Sequence, residues 1–186
     1  MFDSYWQENY NDIILNKETA KILYDQIILC DKLAGSTAEV GVYEGMTSKL
    51  ILNALNRSHY CYDTFEGIID SSQQYGDKHR DGEFVCNIDK VKQNLKSFNV
   101  FYKQGRFPET FEESLLSFCF VYSDTATYLG TKHTFEYFKY TIPSGGKIIF
   151  YVNDMCLGVI NAINECKYDN LFTILHMKNF IIFTKT

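Results

Sequence analysis

Short apolar runs alternate with amphipathic segments five times along this chain, and that rhythm limits the folds open to it. Residues 38–42, 59–62, 100–103, 119–122 and 147–152 read as strands, being short, apolar and rich in β-branched or aromatic side chains. Residues 17–33, 47–56, 85–98, 132–140 and 158–166 carry apolar residues near helical spacing, the first of them ending at Gly35. Such alternation is the signature of βαβ units, a mostly parallel sheet with helices on both faces. Residues 172–176 and 180–184 break the rhythm. They are two strands joined by a turn at Lys178-Asn179, too close together for a right-handed crossover, so one of them must run antiparallel. The expected fold is therefore α/β and Rossmann-like. It has seven strands, an antiparallel C-terminal hairpin, and a helical N-terminal extension (1–35) packed on the main domain (36–186).

Composition removes several function classes. A net charge of −5 offers no basic surface for releasing phosphate counterions, so nucleic acid is not an expected partner. No apolar run approaches the ~20 residues of a membrane helix, and the first residues lack the cationic and apolar parts of a secretory signal. A cytoplasmic protein is expected. The six cysteines form no CxxC pair and mostly sit in apolar runs, so they read as buried free thiols and not as disulfides or a zinc site.

Ligands of open α/β sheets bind beyond the carboxyl ends of the strands. After the first strand stands Glu39-Val-Gly41-Val-Tyr43-Glu-Gly45-Met-Thr47-Ser48. Gly41 would let backbone approach a ligand, and Gly45 would relieve the turn into the next helix. The third glycine of a dinucleotide fingerprint is missing, which disfavours a pyrophosphate there and with it a nicotinamide-dependent oxidoreductase. Asp63 closes the second strand 22 residues after Gly41, where a carboxylate can accept hydrogen bonds from both ribose hydroxyls of a nucleoside. Residues 67–83 are polar and hold Gly67, Gly76 and Gly82, which reads as a mobile loop able to close over substrate.

Three segments together are more specific. Glu39-Val-Gly-Val-Tyr-Glu-Gly45, Tyr62-Asp-Thr-Phe-Glu-Gly67 and Gly105-Arg-Phe-Pro-Glu-Thr110 resemble the sugar O-methyltransferases typified by the macrocin and mycinamicin enzymes. The Ser144-Gly-Gly146 turn and the Gly158–Glu165 segment are similar too, so the likeness runs from about residue 17 to 165 with order and spacing preserved. It implies a class I methyltransferase fold, whose sheet characteristically ends in such a hairpin, and S-adenosylmethionine as cofactor with S-adenosylhomocysteine as product. By the same resemblance Asp63 binds the ribose, Gly105 and Phe107 border the adenine, and residues 39–45 surround the methionine portion. Thr47, Ser48, Thr64, Phe65, Arg106 and Ser123 complete the cofactor set. The acceptor implied is a hydroxyl on a sugar-containing small molecule.

The resemblance also implies Mg²⁺, held by an Asp ending the fourth strand and an Asp pair after the fifth. Asp124 keeps the first position, but Ala126 occupies the next acidic one, and Tyr151 and Val152 stand where the pair belongs. Asn153 and Asp154 lie two residues downstream, a displacement of about 6–7 Å along a strand. They could serve only through a bulge, so Mg²⁺ is doubtful and Asp124 is the expected catalytic residue, acting as base. A chain of this kind could also bind cofactor without transferring a methyl group. His79 and Arg80 on the polar loop, with Tyr128, are candidate substrate contacts, while His133 reads as a surface residue. Little chain is left for a substrate cap, so a homo-oligomer is expected to help complete the pocket.

Overall fold

The computed structural model describes residues 2–9, 15–168 and 170–186. Seven strands form one sheet in the order β3-β2-β1-β4-β5-β7-β6. They are β1 Ser36–Val40, β2 His59–Asp63, β3 Val100–Gln104, β4 Phe118–Ser123, β5 Lys147–Tyr151, β6 Phe172–Met177 and β7 Phe180–Lys185. The helices are α1 Phe2–Asn9, α2 Lys17–Ile28, α3 Met46–Ala54, α4 Ile88–Asn94, α5 Tyr128–Phe138 and α6 Leu157–Glu165. Strands β1 to β5 pair in parallel, and β7 pairs antiparallel with both β5 and β6. Strand order reverses between β1 and β4, the point at which an open α/β sheet presents a crevice.

Every residue of β4, and all but the first of β1, is buried, as expected of parallel strands covered on both faces. One apolar layer joins α1, α2 and α3 to the sheet through Phe2, Leu23, Ile27, Leu50, Tyr122, Ile149 and Phe180. The other joins α5 and α6 through Phe135, Phe138, Val159, Ile163, Val121, Phe150 and Phe183. Of the six cysteines, all free, five are buried and Cys86 is half-buried. No helix among the described residues is long and apolar enough to cross a membrane.

Element boundaries depart from the periodicity where local hydrogen bonds override it. After Ile28 the backbone tightens into i−3 bonds, Cys30 N to Ile27 O at 2.9 Å and Leu33 N to Cys30 O at 3.0 Å, so α2 stops five residues before the apolar pattern does. Helix α5 begins four residues earlier than periodicity predicts. Thr127 caps it, its hydroxyl accepting from Gly130 N, and the carboxylate of Asp77 accepts from Tyr128 N at 2.8 Å.

Asp77 belongs to the polar segment 67–83, which composition reads as mobile. The structure shows it folded on itself: Ile68 N donates to Glu83 O, Gly82 N to Ile68 O, and Ser71 N to Asp81, each at 2.8 Å. Its turn Gln73–Tyr75 docks on α5 and α6, with Tyr75 stacked on Tyr128 at 4.2 Å and its carbonyl accepting from Asn161.

Candidate active site

A cleft of about 270 Å³ opens above the carboxyl ends of β1, β2 and β4, where the strand order reverses. Its floor and walls include Glu39, Gly41, Tyr43, Thr47, Asp63, Thr64, Gly105 and Phe107 of the expected cofactor set, together with Asp124, His79 and Asn153. The cleft is formed by loops that follow different strands, and backbone hydrogen bonds hold those loops together. Gly41 N donates to Tyr62 O at 3.0 Å, Asp124 N to Val40 O at 2.9 Å, and Gly105 N to Asp63 O at 3.0 Å.

Asp63 organises the glycine turn. Its Oδ2 accepts from Val42 N at 2.6 Å and Tyr43 N at 2.9 Å, and its Oδ1 accepts from Phe65 N at 2.7 Å. A carboxylate has about four lone-pair sites, so roughly one is left for a ligand and not the two that a ribose diol would take. Replacing Asp63 with Ala removes these three charge-assisted bonds. It is expected to cost about 1.5–3 kcal/mol in both fold stability and S-adenosylhomocysteine affinity. Thermal melts and calorimetric titration check this, and an unchanged melt with unchanged affinity would strip Asp63 of the role.

Gly41, which lines the cleft, also serves the fold. At φ +85° its missing Cβ would lie 2.5 Å from Asp124 O, so the glycine lets the loops after β1 and β4 touch. Gly45, at φ +80°, caps α3 and makes room for Val91, and it does not line the cleft.

Several residues named from the motifs face elsewhere. Phe65 is buried against Val42, Leu52 and Val91, behind the turn. Ser48 lies beneath Glu39, and Ser123 faces Thr134 on α5 at 3.3 Å. Arg106 turns outward to pair with Asp70 at 2.7 Å and Glu109 at 3.3 Å. Arg80 is exposed outside the cleft. Tyr128 donates its hydroxyl to Glu165 and stacks on Tyr75, so it anchors the polar loop from outside the cleft. Asp154 is exposed and only its carbonyl is engaged, by Lys78.

Other lining residues escaped the sequence reading: Ile68, Ile69, Phe84, Leu129 and the half-buried His133. Burial, and after it the Arg106 charge, lower the pKa of His133. The aromatic wall is built by Phe107, which meets Tyr62 edge-on at 5.3 Å, and by Phe84, which meets Tyr43 edge-on at 5.8 Å. Phe84 takes a positive φ of 63°, a conformation that residue type alone does not announce.

Asp124 stands inside the cleft with its side chain open to the cavity. Confinement by the surrounding protein pushes its carboxyl up to about 6, and the nearby His79 opposes the shift. Water reaches the carboxyl in the open cleft, so the upward push acts in full once a ligand fills that space. His79 itself is held by Glu83, Nδ1 to Oε2 at 2.7 Å.

The residues present do not fit a magnesium site. Tyr151 lines the cleft where a second carboxylate would be needed. Asn153 spends its Oδ1 on Met155 N at 2.8 Å, and the side chain of Asp154 lies outside. Among the described residues no group of three His, Cys, Asp or Glu side chains is placed to hold a metal ion.

The sequence matches no protein-family model and no curated protein. Solved structures do match. The O-methyltransferase NovP superposes with a TM-score of 0.78 at 19% identity, over 94% of this chain and 82% of NovP. The calicheamicin methyltransferase CalS11 gives 0.73 at 15% identity over 98% of this chain and 91% of its own. A second structure of CalS11 is described as a TDP-rhamnose 3'-O-methyltransferase. An O-methyltransferase from Bacillus cereus in complex with SAH gives 0.64 at 13% identity, over 99% and 90%. The strand order, with β7 antiparallel between β5 and β6, and these superpositions give the chain the class I methyltransferase fold.

Proposed function

We propose that this chain is an S-adenosylmethionine-dependent O-methyltransferase acting on a hydroxyl of a small, sugar-containing acceptor. The observation that carries the reading is the cleft at the β1/β4 reversal, which gathers Glu39, Asp63, Gly105 and Phe107 on one side of Asp124. The donor set suits an amino-acid-bearing nucleoside. Glu39 offers a carboxyl for an ammonium group, Asp63 keeps about one acceptor site for a ribose hydroxyl, and Phe107 gives an apolar edge for a base.

The cofactor would supply an activated methyl group, so the chain's own task is alignment and proton removal. Asp124 is the group placed to take the acceptor's hydroxyl proton on its carboxylate. Ile68, Ile69 and Phe84, brought in with the polar loop, would keep water from the reacting atoms. The superposition with CalS11, which acts on a nucleotide-linked sugar, supports a sugar-bearing acceptor. A homo-oligomer that closes the acceptor side belongs to the same reading.

Because the donor set does not fit Mg²⁺, transfer should proceed without it. The test is methyl transfer from labelled S-adenosylmethionine to a panel of nucleotide sugars and phenols, with and without chelator. Transfer that changes by less than about twofold on chelation is expected, since the described residues offer no near-octahedral shell of oxygens. Activity that vanishes with chelator and returns with Mg²⁺ would contradict the metal-free reading. The absent carboxylates favour one other reading, a chain that binds the cofactor without catalysis. Tight S-adenosylhomocysteine binding with no transfer to any acceptor would select it.

A further inference from the structure

Beneath the glycine turn, four polar side chains that are essentially shut off from solvent are joined in a line. Thr37 Oγ1 lies 2.8 Å from His59 Nδ1, and His59 Nε2 lies 3.0 Å from Ser48 Oγ. Ser48 Oγ in turn donates to Glu39 Oε2. Thr37, His59 and Ser48 are 0% exposed and Glu39 is 1% exposed, yet Glu39 also lines the cleft floor. The line crosses three elements, β1, β2 and α3, so it is a product of the fold and not of one motif.

With Glu39 ionised, as it would be against an ammonium group, proton counting fixes the direction of the line. Burial holds the pKa of His59 down to about 3, so the imidazole carries one ring proton. Ser48 has one hydroxyl proton and gives it to Glu39, so its oxygen is free to accept from Nε2–H of His59. Nδ1 is then an acceptor and takes the Thr37 hydroxyl proton. Every donor points toward Glu39, and hydrogen bonds aligned in this way reinforce one another in a low-dielectric interior.

We propose that Ser48 and His59 are positioning residues that orient the Glu39 carboxyl and prepare it to ionise against an ammonium group, so that the cleft selects nucleosides carrying an α-amino acid. This rests on the reading of the cleft as a cofactor site. The groups facing Glu39 are Tyr122 of β4 and Asp124 at its end, Asp63 at the end of β2, Ser48 from α3, and His59 and Cys61 from β2. Burial raises the pKa of Glu39 well above the usual carboxylate range. The Asp124 and Asp63 charges add to the rise, and the Ser48 hydrogen bond works against it. The empty site therefore favours the neutral form of the Glu39 carboxyl. An incoming ammonium group reverses the balance: the carboxyl O–H bond breaks, the proton passes to solvent, and the carboxylate pairs with the ammonium.

Calorimetry with S-adenosylhomocysteine and with 5′-methylthioadenosine, the same thioether nucleoside without the amino acid, tests this. Each titration is run at neutral pH in phosphate and in Tris, whose ionisation enthalpies differ. The wild-type chain should release about one proton with S-adenosylhomocysteine and none with 5′-methylthioadenosine. Ser48→Ala, which removes a single oxygen, should weaken S-adenosylhomocysteine about tenfold and leave 5′-methylthioadenosine within about twofold. His59→Gln keeps an N–H donor and should fall between the two. Equal weakening of both ligands by Ser48→Ala, or no proton release, would reduce the line to a structural role and overturn the proposal. Should the wild-type chain bind neither nucleoside, the cofactor reading itself is what fails, and the proposal with it.

Discussion

If Asp124 is the base, replacing it with Asn should lower the turnover of methyl transfer by about 10²–10⁴-fold, the usual contribution of a positioned general base. The affinity for S-adenosylhomocysteine should stay within about threefold, because the nucleoside side of the cleft is built from β1, β2 and the loop after β3. Amide for carboxylate preserves shape and removes the proton acceptor. With the carboxyl pushed up to about 6, wild-type activity should rise with pH through that value as Asp124 ionises, and this limb should be absent from the variant. The sign for stability is the reverse. A carboxyl whose folded pKa is raised is favoured in its neutral form, so its stabilising share is present at low pH and lost as pH rises. In the ligand-free chain, where water screens Asp124, that share is small. The Asn variant therefore melts no lower than the parent at neutral pH. Single-turnover rates and melts across pH 5–8 read both effects, and full activity in the variant would move the base to His79 or His133.

The second large effect is on the scaffold. Gly41→Ala places a Cβ 2.5 Å from Asp124 O and 2.7 Å from Asp124 C, backbone atoms that cannot rotate aside. A non-glycine residue in this region costs about 1–3 kcal/mol, and overpacking costs about 1–3 kcal/mol more. The expected loss is about 2–6 kcal/mol, roughly a 4–24 °C drop in melting temperature for a chain of this size. Gly82→Ala is the control. Its φ is +83° but nothing lies within 4 Å, so only the backbone cost remains. Equal melting temperatures for the two variants would show that the β1 and β4 loops can separate freely.

Why some of this was legible in the sequence follows from where the information resides. Strand and helix identities are local, written in periodicity, and even the antiparallel return was forced by the shortness of the Lys178-Asn179 connection. The cleft's position follows from topology, since chemistry-bearing residues at strand ends converge wherever the strand order reverses. What a strand-end motif leaves unsaid is facing. Glu39 and Ser48 share one segment, but helix α3 turns Ser48 beneath the floor, into contact with His59, whose partnership spans 11 residues. Phe65 follows Asp63 by two residues, yet at φ +58° its ring turns into the core. The polar loop was hidden for a different reason. Asp77 and Tyr75 gain their order from α5 and α6, elements about 50 residues or more away, so composition registers only their polarity. His133 reads as a surface residue from its helical neighbourhood, which does not say that its helix α5 borders the cleft.

Calorimetric titration of the wild-type chain with S-adenosylhomocysteine tests directly whether the β1/β4 cleft is a cofactor site. One site per chain is expected, with a dissociation constant in the low-micromolar range or tighter, about −7 to −8 kcal/mol or more favourable. No saturable heat up to millimolar ligand, with the protein folded by its melt, would contradict it.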